Sequence, residues 1–286
     1  MATPADFKTG EKSWWCPGCG DFGVLAAMQK ALVAVGAQPE TTVIVAGIGC
    51  SGKIGNYVNS YNLHVTHGRT LPAAMGVKLA NPKLTVLVAG GDGDAYAIGM
   101  GHFLHTIRRN PDVTYIVMDN HIYGLTKGQT SPTSARGFRT HTSPSGNIEQ
   151  PVRPLMLALS AGATYIAQGF SSWQGQLAHL IEDAIRHPGF SLVNVLSPCV
   201  TYNKEDTYDL YKSSLFNLDE DATYQPGDRA AAFSRLVELD EMVTGVIFRG
   251  DSEPYHTKIP GFGGVPLAEQ PLGLDDGIWR EIVANL

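Results

Sequence analysis

Apolar positions in the first two hundred residues switch repeatedly between a helical period and short unbroken runs. From Asp21 onward, Leu25, Met28, Leu32 and Val35 recur on one face. That spacing predicts a helix with Asp21 as its N-cap and Gly36 ending it. Thr42–Ala46 is a short, β-branched apolar run, as in a strand buried on both faces. Pro72 suits the first turn of a second helix, which must stop before Asn81-Pro82. Leu84–Ala89 predicts another buried strand, followed by glycines and a helix carrying Ala97, Met100, Leu104 and Ile107. Val113–Met118 is the next strand. Beyond a long polar loop the pattern predicts a helix near Leu155–Ala161, a strand near Ala163–Ala167, a helix over Leu177–His187 and a strand over Phe190–Leu196.

Strands alternating with helices imply an α/β fold: a mostly parallel sheet with helices on both faces. Ligands of such sheets bind beyond the carboxyl ends of the strands. Three loops there are glycine-rich or follow a strand end, at Gly47–Gly52, Gly90–Gly93 and after Asn120. No internal repeat is found. After Tyr202 the alternation stops, and Pro, Gly and acidic residues dominate. One amphipathic helix near Arg229–Met242 is expected there and little else. The chain therefore divides into a folded part, 1–205, and an irregular C-terminal extension, 206–286, expected to pack on a partner.

Composition narrows the function. A chain of 286 residues, 43% of them hydrophobic, buries about 75% of its unfolded surface. No stretch approaches the roughly 18 apolar residues of a membrane span. The polar N-terminus has no apolar signal region, so a cytoplasmic protein is expected. A net charge of −6 argues against a dedicated nucleic-acid binder. The charge is uneven: residues 1–200 hold 14 Lys/Arg against 11 Asp/Glu, and residues 201–286 hold 7 against 16. The first part can host an anionic ligand.

The segment Leu84–Gly124 carries the clearest chemistry. A buried strand runs into Gly90-Gly91-Asp92-Gly93-Asp94, and the next strand ends at Asp119-Asn120-His121-Ile122. Glycines between strand and helix let backbone approach a phosphate. Asp92 has the phosphate's own charge, so its place there makes sense with a divalent cation between them. Mg²⁺ favours carboxylate, amide and phosphate oxygens. A plain Gly-Asp-Gly turn would explain neither the acidic residue nor the second strand end, and the spacing fails the Rossmann fingerprint. Gly91-Asp92-Gly93 with Asn120 resembles the thiamine-diphosphate motif. That resemblance implies Mg²⁺ held by Asp92, Asn120 and the backbone carbonyl of Ile122.

Four cysteines stand at Cys16, Cys19, Cys50 and Cys199, on segments the sheet argument brings toward one edge. Four thiolates suit either zinc or a [4Fe–4S] cluster, and Cys16/Cys19 alone suit a redox disulfide. Taken together, residues 12–205 resemble the β subunit of 2-oxoacid:ferredoxin oxidoreductases. The resemblance rests on Cys16-Pro17-Gly18-Cys19, Gly49-Cys50-Ser51-Gly52-Lys53, His67-Gly68-Arg69, the diphosphate motif, Tyr123-Gly124-Leu125-Thr126-Lys127-Gly128-Gln129 and Ser197-Pro198-Cys199.

What the resemblance implies is specific. All four cysteines would bind one [4Fe–4S] cluster. Ser51, Gly68, Gly91, Asp92, Gly93, Asp94, Asn120, Leu125 and Thr126 would contact thiamine diphosphate, and Lys53, His67 and Lys127 would serve catalysis. The reaction would be oxidative decarboxylation of a 2-oxoacid, with the acyl group passing to coenzyme A and electrons leaving through the cluster to ferredoxin. Lys127, facing the distal end of the substrate, favours 2-oxoglutarate over pyruvate or a branched-chain acid. Trp14 and Trp15 either shield the cluster or are ordinary packing aromatics. The loop from Tyr123 to Gln150 has few apolar anchors and is expected to order with ligand and partner. None of Glu11, Glu40, Glu149 and Glu182 sits in a pyrimidine-domain motif, so an α subunit carrying that domain is implied, in an (αβ)₂ assembly. Two other readings remain open: a non-oxidative thiamine enzyme with structural zinc, and a non-catalytic metal-binding scaffold.

Overall fold

The computed structural model describes residues 2–251, 253–270, 273 and 276–285. Its strands are β1 (Thr42–Ala46), β2 (Tyr61–His64), β3 (Thr85–Gly91), β4 (Thr114–Asp119), β5 (Ile122–Tyr123), β6 (Gln129–Thr130), β7 (Tyr165–Phe170), β8 (Ser191–Leu196), β9 (Phe216–Asn217) and β10 (Val243–Arg249). Among the described residues, eight of them form one sheet in the order β2-β1-β3-β4-β8-β7-β10-β9, and β5 pairs with β6 in a separate ribbon. Neighbours in the sheet run parallel, except that β10 lies antiparallel to β7.

The helices are α1 (Asp21–Ala34), α2 (Thr70–Ala80), α3 (Met100–Arg109), α4 (Pro154–Ser160), α5 (Gln174–Arg186), α6 (Tyr208–Ser214), α7 (Arg229–Glu238) and α8 (Asp276–Ala284). Successive strand residues point to opposite faces, and each face has its own core. Ile44, Leu87 and Ile116 pack with Val24 and Leu32 of α1 and Leu177 and Ile181 of α5. Val45, Val88 and Val117 pack with Leu71, Phe103, Leu159 and Leu236, from α2, α3, α4 and α7. The two-sided burial explains the unbroken apolar runs. No helix among the described residues is long and apolar enough to cross a membrane.

Four expectations need correction. Asp21 does not cap α1: it is the first helical residue, the cap position is Gly20, and the buried carboxylate accepts the Ser197 hydroxyl at 2.7 Å. The helix expected after Gly93 begins instead as a wide π turn, Gly93–Ile98, before α3. The C-terminal part is more regular than its composition suggested. β10 joins the main sheet beside β7, so the sheet runs across the division drawn at residue 205. Finally, the Tyr123–Gln150 loop is anchored mainly by polar groups: Ser131, Thr133, Ser134 and Asn147 are buried and hydrogen-bonded, and Phe138 is also buried.

Candidate active site

Register places the chemistry. Ala46 pairs with Ala89, and Gly91 with Met118, so the ends of β1, β3 and β4 lie side by side. A cavity of about 160 Å³ opens there. Of the residues singled out in the sequence, Cys50, Ser51, His67, Gly91, Asp92, Gly93, Asp94, Asn120, Ile122, Leu125 and Thr126 line it. Gly49, Tyr123 and Gly124, which stand in the resemblance motifs without an assigned role, also line it, as does Ile48, which only topology finds. Gly68 stands behind the wall, its N–H donating to Asp94 Oδ1 at 2.9 Å. Lys53 and Lys127 lie outside: the Lys53 ammonium is 5.7 Å from the Trp14 ring centroid, and Lys127 is exposed in the turn, with φ +75°.

Asp92 is buried at the cavity floor. Its Oδ2 accepts from the hydroxyls of Ser131 and of Thr133, the latter at 2.8 Å. Oδ1 has no hydrogen-bond partner among the described residues, which leaves it for a ligand. Burial, and then the neighbouring Asp119 charge, push the Asp92 carboxyl up to about 7 against the pull of the two hydroxyls. A divalent cation would relieve that cost. Asn120 follows on the adjacent strand end, its Oδ1 accepting the Ile122 N–H at 3.1 Å. One carboxylate, one amide oxygen and one carbonyl form a hard-oxygen set, the kind Mg²⁺ takes together with phosphate oxygens. Gly93 is required by closeness: a Cβ there would stand 2.0 Å from the Tyr123 ring.

On the opposite wall, His67 Nδ1 is 2.7 Å from Asp94 Oδ1. A carboxylate only accepts, so the proton sits on Nδ1 and Nε2 is the ring nitrogen left for a ligand. The same oxygen takes the N–H groups of Ile48 and Gly68, at 3.1 and 2.9 Å. Asp94 thus ties three loops together.

All four cysteines are free thiols. Burial raises Cys19, with the Asp21 charge adding to it, and pushes Cys50 up to about 11 by the same two causes. The Cys199 segment is stitched to the Cys19 segment by the Asp21–Ser197 bond and by the Gly20 N–H donating to the Pro198 carbonyl at 3.1 Å. Gly124 lies between the sulfurs and the cavity: a Cβ built there meets the Sγ of Cys50 and of Cys199, each at 3.7 Å. Among the described residues no three His, Cys, Asp or Glu side chains converge on a single-ion site. A cluster with four iron corners takes thiolates that stand farther apart. Trp15 is buried, with its indole N–H on the Cys50 carbonyl at 2.7 Å, and Trp14 is 79% exposed. Trp15 is therefore the aromatic placed to exclude water from Cys50.

Comparison with known proteins bears on this arrangement. Residues 40–195 match the thiamine pyrophosphate enzyme C-terminal TPP-binding domain. Residues 199–263 match the C-terminal part of the pyruvate ferredoxin oxidoreductase beta subunit. The chain is 46% identical over 289 residues to the beta subunit of 2-oxoacid:ferredoxin oxidoreductase 1 from Aeropyrum pernix, covering 96% of this chain and 91% of that one. The chain belongs to the β subunits of the 2-oxoacid:ferredoxin oxidoreductases. Within that family it is also 46% identical to the 2-oxoglutarate synthase subunit KorB of Archaeoglobus fulgidus, across 69% of this chain and 74% of the relative. A solved 2-oxoglutarate:ferredoxin oxidoreductase from Magnetococcus marinus, with 2-oxoglutarate, coenzyme A and succinyl-CoA bound, superposes with a TM-score of 0.89 at 38% identity. That match covers 99% of this chain and 96% of the other. The β-subunit match over residues 199–263 covers most of the C-terminal segment that no motif explained.

Proposed function

We propose that this β subunit binds Mg²⁺–thiamine diphosphate and one [4Fe–4S] cluster, and that with an α subunit it converts 2-oxoglutarate and coenzyme A to succinyl-CoA and CO₂. Two electrons would pass, one at a time, through the cluster to two ferredoxins. The observation that carries this reading is the place of Cys50. It lines the same cavity as Asp92 and Asn120 while its sulfur shares the Gly124 surface with Cys199.

Bound thiamine diphosphate supplies the electron sink for decarboxylation. The chain's own part is to position and to insulate. Asp92, Asn120 and the Ile122 carbonyl hold the Mg²⁺. Ser51, Gly91 and Gly93 lie where a diphosphate would meet backbone, and Leu125 and Thr126 close the lining. His67, fixed in one tautomer by Asp94, offers Nε2 to bind an oxyanion or move a proton. Cys16, Cys19, Cys50 and Cys199 hold the cluster, a use of cysteine that fits a reducing cytoplasm.

Two observations support an α subunit as the partner in this reading. A cavity of about 160 Å³ is smaller than the roughly 300 Å³ at which small-molecule sites begin, which fits a site completed by another chain. None of Glu11, Glu40, Glu149 or Glu182 lines it, so the glutamate for the aminopyrimidine comes from the partner, in an (αβ)₂ assembly. Support for 2-oxoglutarate comes from the substrates named in the KorB relative and in the Magnetococcus marinus structure.

The test is anaerobic purification of the chain with its α subunit, then metal analysis and turnover on a panel of 2-oxoacids. A brown complex with about four irons per β chain, CoA-dependent and fastest on 2-oxoglutarate, is expected. A colourless protein containing zinc would overturn the cluster. A preference for pyruvate would overturn the substrate.

A further inference from the structure

The proposed metal turn Asn120–Ile122 is held from outside by groups that do not line the cavity. His121, between the two proposed ligands, has φ +57°, a left-handed conformation unfavourable for a residue with a Cβ. Its surroundings must impose that conformation. Its Nδ1 is 3.1 Å from Asp206 Oδ2, its Nε2 3.5 Å from Asp119 Oδ1, and its carbonyl accepts the Ser134 hydroxyl at 2.6 Å.

Asp206 is itself fixed. The Asn203 side-chain amide donates to Asp206 Oδ2 at 2.6 Å and to the Asn120 carbonyl at 3.1 Å. Asn203 Oδ1 takes the N–H groups of Glu205 and Asp206, both at 3.0 Å, and its own N–H donates to the Cys199 carbonyl at 3.1 Å. Asn203 is 2% exposed. A single buried amide thus joins the backbone of a proposed metal ligand, the carboxylate that grips His121, and the segment of a proposed cluster cysteine.

We propose that His121 and Asp206 are positioning residues that set the Asn120 and Ile122 oxygens for Mg²⁺, anchored through Asn203 to the Cys199 segment. This rests on the Mg²⁺–thiamine diphosphate reading. Neither residue touches the metal. Each acts on the turn that presents two of its ligands, as outer partners of metal ligands generally do. The consequence is that the C-terminal segment beyond the thiamine domain contributes to cofactor affinity in this subunit.

The test uses the αβ complex stripped of Mg²⁺ by chelation and titrated with Mg²⁺ at fixed thiamine diphosphate in a calorimeter. Asp206→Ala releases both His121 and Asn203, whereas Asp206→Asn keeps an acceptor for Asn203 and removes only the charge facing His121. Asp206→Ala is expected to weaken Mg²⁺ by about 10- to 100-fold, with Asp206→Asn intermediate. Turnover should recover as Mg²⁺ is raised, which a purely structural lesion would not allow. His121→Asn, which tolerates the left-handed backbone, should weaken Mg²⁺ without lowering the melting temperature, and it serves if Asp206→Ala does not fold. Unchanged Mg²⁺ affinity in Asp206→Asn and His121→Asn would overturn the clamp alone. A parent complex that binds thiamine diphosphate without Mg²⁺ would overturn the reading beneath it.

Discussion

Asp92 Oδ2 accepts from Thr133 Oγ1 at 2.8 Å, and that same hydroxyl stands 2.8 Å from Asp119 Oδ1. That hydroxyl has one proton for two buried carboxylates, and burial together with the Asp119 charge disfavours an ionised Asp92 where no cation is bound. Asp92→Asn should therefore do two opposite things. It should abolish Mg²⁺-dependent thiamine diphosphate binding in calorimetry, and it should raise the melting temperature of the metal-free protein. Relief of 1 kcal/mol corresponds to about 2–4 °C in a domain of this size. A variant that binds cofactor as the parent does would remove Asp92 from the metal set.

Gly124 gives a second test, because one backbone position separates the cofactor cavity from two sulfurs. The 3.7 Å from a built Cβ to Cys50 and Cys199 is an ordinary van der Waals distance, so Gly124→Ala should keep the cluster. Branching at Cβ would drive methyl groups into the sulfurs. Gly124→Val should lose iron and the reduced cluster's paramagnetic signal, with folding retained by circular dichroism. Full iron content in Gly124→Val would separate Gly124 from the cluster.

Glu241 is one source of pH-dependent stability away from the proposed metal site. Burial raises the Glu241 carboxyl from 4.5 to about 7, the charges of Asp119 and Asp240 adding to it against Arg153 and the Met156 N–H. The folded state then binds the proton more tightly than the unfolded state. Stability falls as pH rises from about 4.5 to about 7 and is level above. Glu241→Gln keeps an acceptor for the Met156 N–H, now at 3.2 Å. Its melting temperature should match the parent's near pH 4.5 and exceed it by several degrees at pH 8, since each pKa unit is worth about 1.36 kcal/mol. A constant offset across that range would show that Glu241 is ionised in the folded state throughout.

How much of this was legible in the sequence depended on whether the determinant was local. β1 is the five-residue run read from its side chains alone, because burial on both faces leaves only the β-branched Thr42 as a polar residue in it. Asp92 and Asn120 stood out because glycines and strand ends mark them. β10 was missed: Gly245 at φ +106° and a register shift between Val246 and Phe248 break its pattern. Ser131 and Thr133 carry no signal in a polar loop, and only the fold brings them onto Asp92, 39 and 41 residues away. Asp21 looked like a helix cap because caps are local, yet its partner Ser197 is 176 residues distant.

If the proposed substrate holds, Lys127 is the residue with which to test its selection, and the geometry restricts how it can act. The side chain is exposed outside the cavity lining, and its N–H is held by the Gly124 carbonyl at 3.0 Å. Its backbone is therefore fixed by the same glycine that borders the sulfurs, while a flexible four-carbon stem leaves its ammonium free to reach over the cavity mouth once the α subunit completes the wall. A second carboxylate there, as in 2-oxoglutarate, would gain a charge-assisted hydrogen bond of about 1.5–3 kcal/mol. That equals roughly 10- to 150-fold in kcat/KM, at 1.36 kcal/mol per tenfold. Pyruvate ends in a methyl group and gains nothing. Lys127→Ala retains a Cβ at the left-handed φ of +75°, so the backbone strain is the same in both proteins and only the charge is lost. The variant should lose kcat/KM for 2-oxoglutarate by that factor and stay within about twofold for pyruvate. Equal losses on both substrates would place the effect on the turn or the cofactor and leave the dicarboxylate preference to the partner subunit.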